Sequence, residues 1–227
     1  MRSYEEVMCR RRLIAATTIL ACIAIIPLII ALCTVNWNII NFTNLDHGQV
    51  EVELGMVGEK RTVRRGKEVT TDWIPHFPEP PPDIARLAGS EIRHFHRAQA
   101  ALGLISIVLL FATDALAIYT FCHHRYVYKR LAGALYLVTA VCIIATVEVV
   151  SQSVDEWKTE VVQKAENEDY EFDAKMSLGY SSKLAYAVAA VCALACLSFF
   201  YASHKQKGDN AATTDLEIED RPIHMGR

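Results

Sequence analysis

The sequence predicts a membrane protein, an all-α four-helix bundle carrying a small extracellular antiparallel β-sheet. Three observations predict it. Apolar residues make up 52% of the 227-residue chain against 22% charged, and they gather into four runs, each near the roughly 20 residues that cross about 30 Å of hydrocarbon. The long polar stretch at 36–97 opens with apolar residues at period two, the spacing of a strand. The basic clusters adjoin alternate links between the runs, as the positive-inside rule requires.

Each part takes its place from that pattern. Residues 1–12 form a cytoplasmic N-terminus, because Arg10, Arg11 and Arg12 abut the first span at 13–35. Arginines before an apolar run also resemble a signal peptide, but this run is longer than a usual signal core, and an anchor is expected. Pro27 predicts a bend in the span, with neighbouring helices compensating the lost backbone bond. Residues 36–97 are then an extracellular loop, 98–122 the second span, 123–130 a basic cytoplasmic link, and 131–150 the third span. The acidic extracellular loop at 151–183, the fourth span at 184–202 and a polar, disordered cytoplasmic tail at 203–227 complete the chain. Both termini are expected in the cytoplasm and the chain in the plasma membrane.

The first loop carries the strand signals. Thr34 to Phe42 and Gln49 to Val57 read as strands, the second with Val50, Val52, Leu54 and Met56 on one face. Arg65-Gly66-Lys67 is a hairpin turn between two polar strands, whose Arg and Lys side chains serve solubility or a binding patch. Asn41-Phe-Thr43 fits the glycan-acceptor pattern, and equally a strand residue with a threonine nearby. Trp73 to Asp83 carries five prolines, which excludes helix and central strand and predicts a stiff exposed arm bearing Trp73 and Phe77. A helix is expected from Ile84 to Gln99, leading into the second span. His94 and His96 on it diverge, so they are not expected to hold a metal.

The second loop is acidic, with Asp155, Glu156, Glu160, Glu166, Glu168, Asp169, Glu171 and Asp173 against Lys158, Lys164 and Lys175. Ionisable groups inside spans need partners. Asp114 is expected to meet Tyr136 or water, or else a second membrane subunit. Glu148 is expected to pair with Lys183 at the outer ends of the third and fourth spans. Ala185, Ala189 and Ala193, with Cys192 and Cys196 beside them, predict a close-packing stripe on the fourth span. Cys9 and Cys122 lie beside the membrane and are candidate palmitoylation sites or free thiols. All seven cysteines fall in spans or on the cytoplasmic side, so neither loop is expected to hold an internal disulfide.

The arrangement of four spans and two unequal outer loops resembles the claudin, peripheral myelin protein and calcium-channel gamma-subunit superfamily. Trp37 matches the first-loop tryptophan of that family, and Leu54-Gly55-Met56-Val57 stands where its Gly-Leu-Trp motif falls. Arg97 matches an arginine at the return to the membrane, and Glu148 to Val154 with Gly179-Tyr-Ser181 looks most like the gamma subunits. The chain departs from the pattern at Val57, where the motif has tryptophan, and at Lys60, near which the first of two paired cysteines would fall. Trp37, Leu54 and Gly55 are therefore the expected loop core, held by packing.

No nucleophile stands beside a base, and no Gly-rich phosphate loop or convincing ligand cluster is present. The expectation is a non-enzymatic protein without cofactor that contacts membrane lipid and either a channel pore subunit or copies of itself, and no nucleic acid. The resemblance implies an auxiliary subunit of a cation (calcium) channel, with a claudin-like junction or adhesion protein as the alternative.

Overall fold

The structure is a computed structural model, and it describes residues 2–43, 48–77, 90–122, 126–157 and 175–203. Four long helices run through them: α1 (Arg2–Cys33), α2 (Ser90–Cys122), α3 (Tyr126–Trp157) and α4 (Tyr180–Ala202). Five strands accompany them: β1 (Asn38–Thr43), β2 (Gln49–Leu54), β3 (Gly58–Arg65), β4 (Glu68–Pro75) and β5 (Lys175–Leu178). Each helix contains a stretch long and apolar enough to cross a membrane, Met8–Cys33, His94–Cys122, Val127–Asp155 and Tyr180–Ala202. The helices run past the expected spans because apolar composition marks only the part matched to hydrocarbon. Backbone bonding continues until a breaker or a cap ends it. Helix α1 continues through Pro27 and stops at Cys33, two residues before the expected limit of Val35. The arm from Pro78 to Asp83, the helix start at Ile84, most of the acidic loop and the tail beyond Ser203 lie outside the described residues.

The chain divides into two compact units. One comprises Met1–Ile25, Val108–Ala140 and Ala189–Arg227. Its buried face consists largely of small residues: Ala21 on α1, Thr113 and Ala117 on α2, Ala132 and Thr139 on α3, and Ala189, Cys192, Ala195 and Cys196 on α4. Small side chains let helix backbones approach closely. Tyr136, Phe199 and Leu110 are large and fully buried, and the Tyr136 and Phe199 ring centroids lie 5.6 Å apart. Residue Ala193 is only half-buried. A repeat of four drifts around a helix of 3.6 residues per turn, so the buried line passes from Ala189 to Cys192 and Cys196. Val108, Phe111 and Leu197 are exposed, the apolar exterior expected of helices apolar enough to cross a membrane.

The other unit, Ile26–Ile107 with Val141–Val188, contains the sheet. Its strand order is β4-β3-β2-β1-β5, with every pairing antiparallel. Alternation along β2 sends Val50, Val52 and Leu54 to one face, where they form a core with Ile40 of β1 and Val154 of α3. Phe42, Val63 and Met176 pack at its margin. Met56 lies beyond the end of β2, buried against Gly103 of α2. The opposite face is polar, and Lys60–Glu53 (3.5 Å) and Arg64–Glu51 (3.7 Å) bridge neighbouring strands there. Gly66 turns the β3–β4 hairpin with φ of 58°, a conformation that costs glycine nothing. Trp73 to Pro75, expected as arm, complete β4 instead. The edge position tolerates the missing N–H of Pro75.

Candidate functional site

The densest polar construction lies in the sheet-bearing unit, where residues 34–37 meet the start of α4. The last turn of a helix leaves carbonyls without partners. Here the Thr34 amide and hydroxyl both donate to the Ile30 carbonyl, at 3.1 and 2.8 Å, and the buried Trp37 indole N–H donates to the Ala31 carbonyl at 2.8 Å. The same short segment satisfies the first amides of α4. The Asn36 side-chain oxygen accepts from the Tyr180 amide (3.1 Å), and its backbone carbonyl accepts from the Ser181 amide (3.0 Å). Trp37 is tied to three elements at once. Its amide donates to the Leu54 carbonyl (2.9 Å), and its carbonyl accepts from the Gly179 amide (2.8 Å) and the Ser182 hydroxyl (2.7 Å). Thr34 and Ser181 share a hydroxyl–hydroxyl bond of 2.7 Å.

Two glycines make that approach possible. A Cβ on Gly55 would collide with the backbone of Val35, and one on Gly179 would collide with the carbonyl of Asn36. Trp37 and Leu54, the other two residues expected in the loop core, are buried beside them. Sequence reasoning missed Asn36, Gly179 and Ser182 as members. Tyr180-Ser-Ser182 before an apolar run is a visible helix-start signal, but nothing in it names a partner so distant.

The ionisable residues within the apolar helix stretches separate into two cases. Asp114 is buried, and its carboxylate accepts from the Tyr136 hydroxyl at 2.7 Å with the Cys22 thiol alongside. Thr113 and Thr139 hydroxyls meet nearby at 3.5 Å. Glu148 departs from the expectation. Its carboxylate accepts from the Tyr186 hydroxyl at 3.3 Å and does not pair with Lys183. Tyr186 lies one helical turn beyond Lys183 and reaches the carboxylate, while Lys183 stays exposed.

Two half-buried imidazoles form a third feature. His96 stacks on His76, with ring centroids 3.6 Å apart and planes 23° from parallel. His94 is exposed and takes no part in the stack. Burial pushes His76 down to about 4, only partly opposed by its contact with the Met56 carbonyl. On β3, burial raises the Glu59 carboxyl above its usual range, and Arg61 offsets part of that. Among the described residues no group of three or more His, Cys, Asp or Glu converges as a metal cage would.

Asn41 is exposed in the middle of the sheet, paired with Glu51 of β2 and Lys175 of β5. It borders a cleft of about 370 Å³ with Thr43, Gln49, Glu51, Arg64 and Lys175. Cys9 and Cys122 are exposed free thiols. No family model and no curated protein matches this chain.

Proposed function

We propose that this chain is a non-enzymatic, multi-pass protein of the plasma membrane, with cytoplasmic termini, acting as an auxiliary subunit of a cation channel. On this reading it is a gamma-type member of the claudin and calcium-channel gamma-subunit superfamily, and Asn41 is a glycan acceptor. The observation that carries the proposal is the joining of both loops in one sheet. Strand β1 pairs with β2 on one side and with β5 from the second loop on the other, and the Asn36–Trp37 segment locks the sheet to the start of α4. A pore subunit that touches this sheet therefore engages a rigid surface. Contacts made better in one channel state than another shift gating by the difference, and about 1 to 3 kcal/mol changes an equilibrium 5- to 150-fold.

The test is purification of the full chain from its own tissue in mild detergent, followed by mass spectrometry of what accompanies it. A stoichiometric channel pore subunit, whose currents shift on co-expression, is the expected result. Recovery of junctional scaffold proteins without a pore subunit would overturn it. One observation favours that second, adhesive reading: β4 is an edge strand exposing Val69, Trp73 and Asp72 along its length.

A further inference from the structure

We propose that two copies of this chain associate side by side in the membrane through the α3–α4 face bearing Glu148 and Lys183, each copy's Glu148 receiving the other copy's Lys183. Glu148 belongs to the apolar stretch Val127–Asp155 and is exposed on the same side as Val141 and Ile144, an exposed apolar side of a helix long enough to cross a membrane. Its Tyr186 bond is long, at 3.3 Å, and leaves most of the carboxylate's capacity to accept unused. A carboxylate so placed is costly in hydrocarbon unless something neutralises it.

The complementary charge is on α4. Lys183 lies within the apolar stretch Tyr180–Ala202, is exposed, and makes no ion pair with Glu148. Lys183 stands one helical turn before Tyr186, the residue whose hydroxyl reaches Glu148, so both charges belong to the same end of the helix pair. A two-fold axis along the membrane normal preserves the depth of every residue. It brings Glu148 of one copy to Lys183 of the other, and the reverse pair forms by the same operation. Both charges are then removed from lipid together. Ala187 and Ile144 are exposed beside them, a small residue that admits a close neighbour and a branched one to fill the contact. This inference does not depend on the channel reading.

A charge-swap cycle on the full chain in lipid nanodiscs or mild detergent tests it, with the dimer fraction read by single-molecule photobleaching and by crosslinking. E148K or K183E alone sets like charges opposite one another and should lower the dimer fraction about tenfold or more. The double variant E148K/K183E should restore it. Both positions are exposed, and thermal unfolding of each variant in the same detergent checks that the fold survives. A monomeric wild type, a dimer indifferent to either reversal, or a double variant that folds and stays monomeric would each overturn the proposal. So would a monomer whose Glu148 holds phosphatidylethanolamine, seen by native mass spectrometry and lost in E148Q, or a dimer replaced by a different protein that contributes the basic residue.

Discussion

At the scale of single residues, the polar atoms inside the protein carry the strongest predictions. Tyr136 donates to Asp114 where no water competes, yet the unfolded state in a membrane also finds partners for such groups. A Tyr136→Phe and Asp114→Ala cycle, read by thermal unfolding in detergent, should therefore give a coupling of about 0.6 to 1.7 kcal/mol. Trp37 differs because its indole closes the end of α1. Trp37→Phe keeps a buried ring but removes the bond to the Ala31 carbonyl, which the Thr34 hydroxyl also reaches at 3.2 Å, so the loss of one hydrogen bond, about 0.5 to 1.5 kcal/mol, is expected. Gly179→Ala should cost at least as much, since its Cβ meets the Asn36 carbonyl and the backbone on both sides is already bonded. Unchanged stability in Gly179→Ala would show that the junction relaxes freely.

Among the elements, β5 is the most exposed to test. It is four residues long and holds to the sheet through its pairing with β1 and the packing of Met176. Ser177→Pro should release it, since proline cannot donate to a ladder. Amide exchange along β1 should then rise while β2 and β3 keep their protection. If β1 exchanges no faster, β5 contributes nothing to the sheet. The β3–β4 hairpin depends on a different feature. Gly66→Ala imposes a side chain on a left-handed residue with open space around it, so the cost is purely conformational, about 1 kcal/mol, and should appear in the denaturant midpoint.

For the molecule as a whole, His76 and Glu59 set opposite limits on the pH range of stability. His76 has its folded pKa depressed to about 4 from 6.5, so the unfolded chain binds its proton first. Its contribution is complete above about 6.5 and is lost as pH falls towards about 4. Glu59 has a raised folded pKa, so the folded chain holds the proton more tightly. Its contribution is complete below about 4.5 and is lost as pH rises through the folded value. Melting temperature against pH should therefore fall on the acid side, and His76→Phe, which preserves a ring against His96, should make that fall shallower and leave the alkaline side unchanged. An unchanged acid limb in His76→Phe would assign it to other groups.

What the sequence determined by itself was local or periodic. Hydropathy marks the four helices because each needs only its own composition to satisfy its backbone in lipid. Alternation marks Val50, Val52 and Leu54 as the buried face of β2, and Gly66 marks the hairpin, because those signals lie within a few residues. The partner of Asp114 was also legible, since few polar groups on the adjoining span could reach it. Tertiary structure alone decided the rest. Strand β5 is too short for its alternation to be distinguished from chance, and it becomes a strand because β1 offers an edge. His96 turns to His76 rather than to its sequence neighbour His94, and Glu148 takes Tyr186 instead of Lys183, because side-chain direction on a packed helix selects among equally suitable partners. Thr34 and Ser181 stand 147 residues apart, and only the closing of both loops onto one sheet brings their hydroxyls to 2.7 Å.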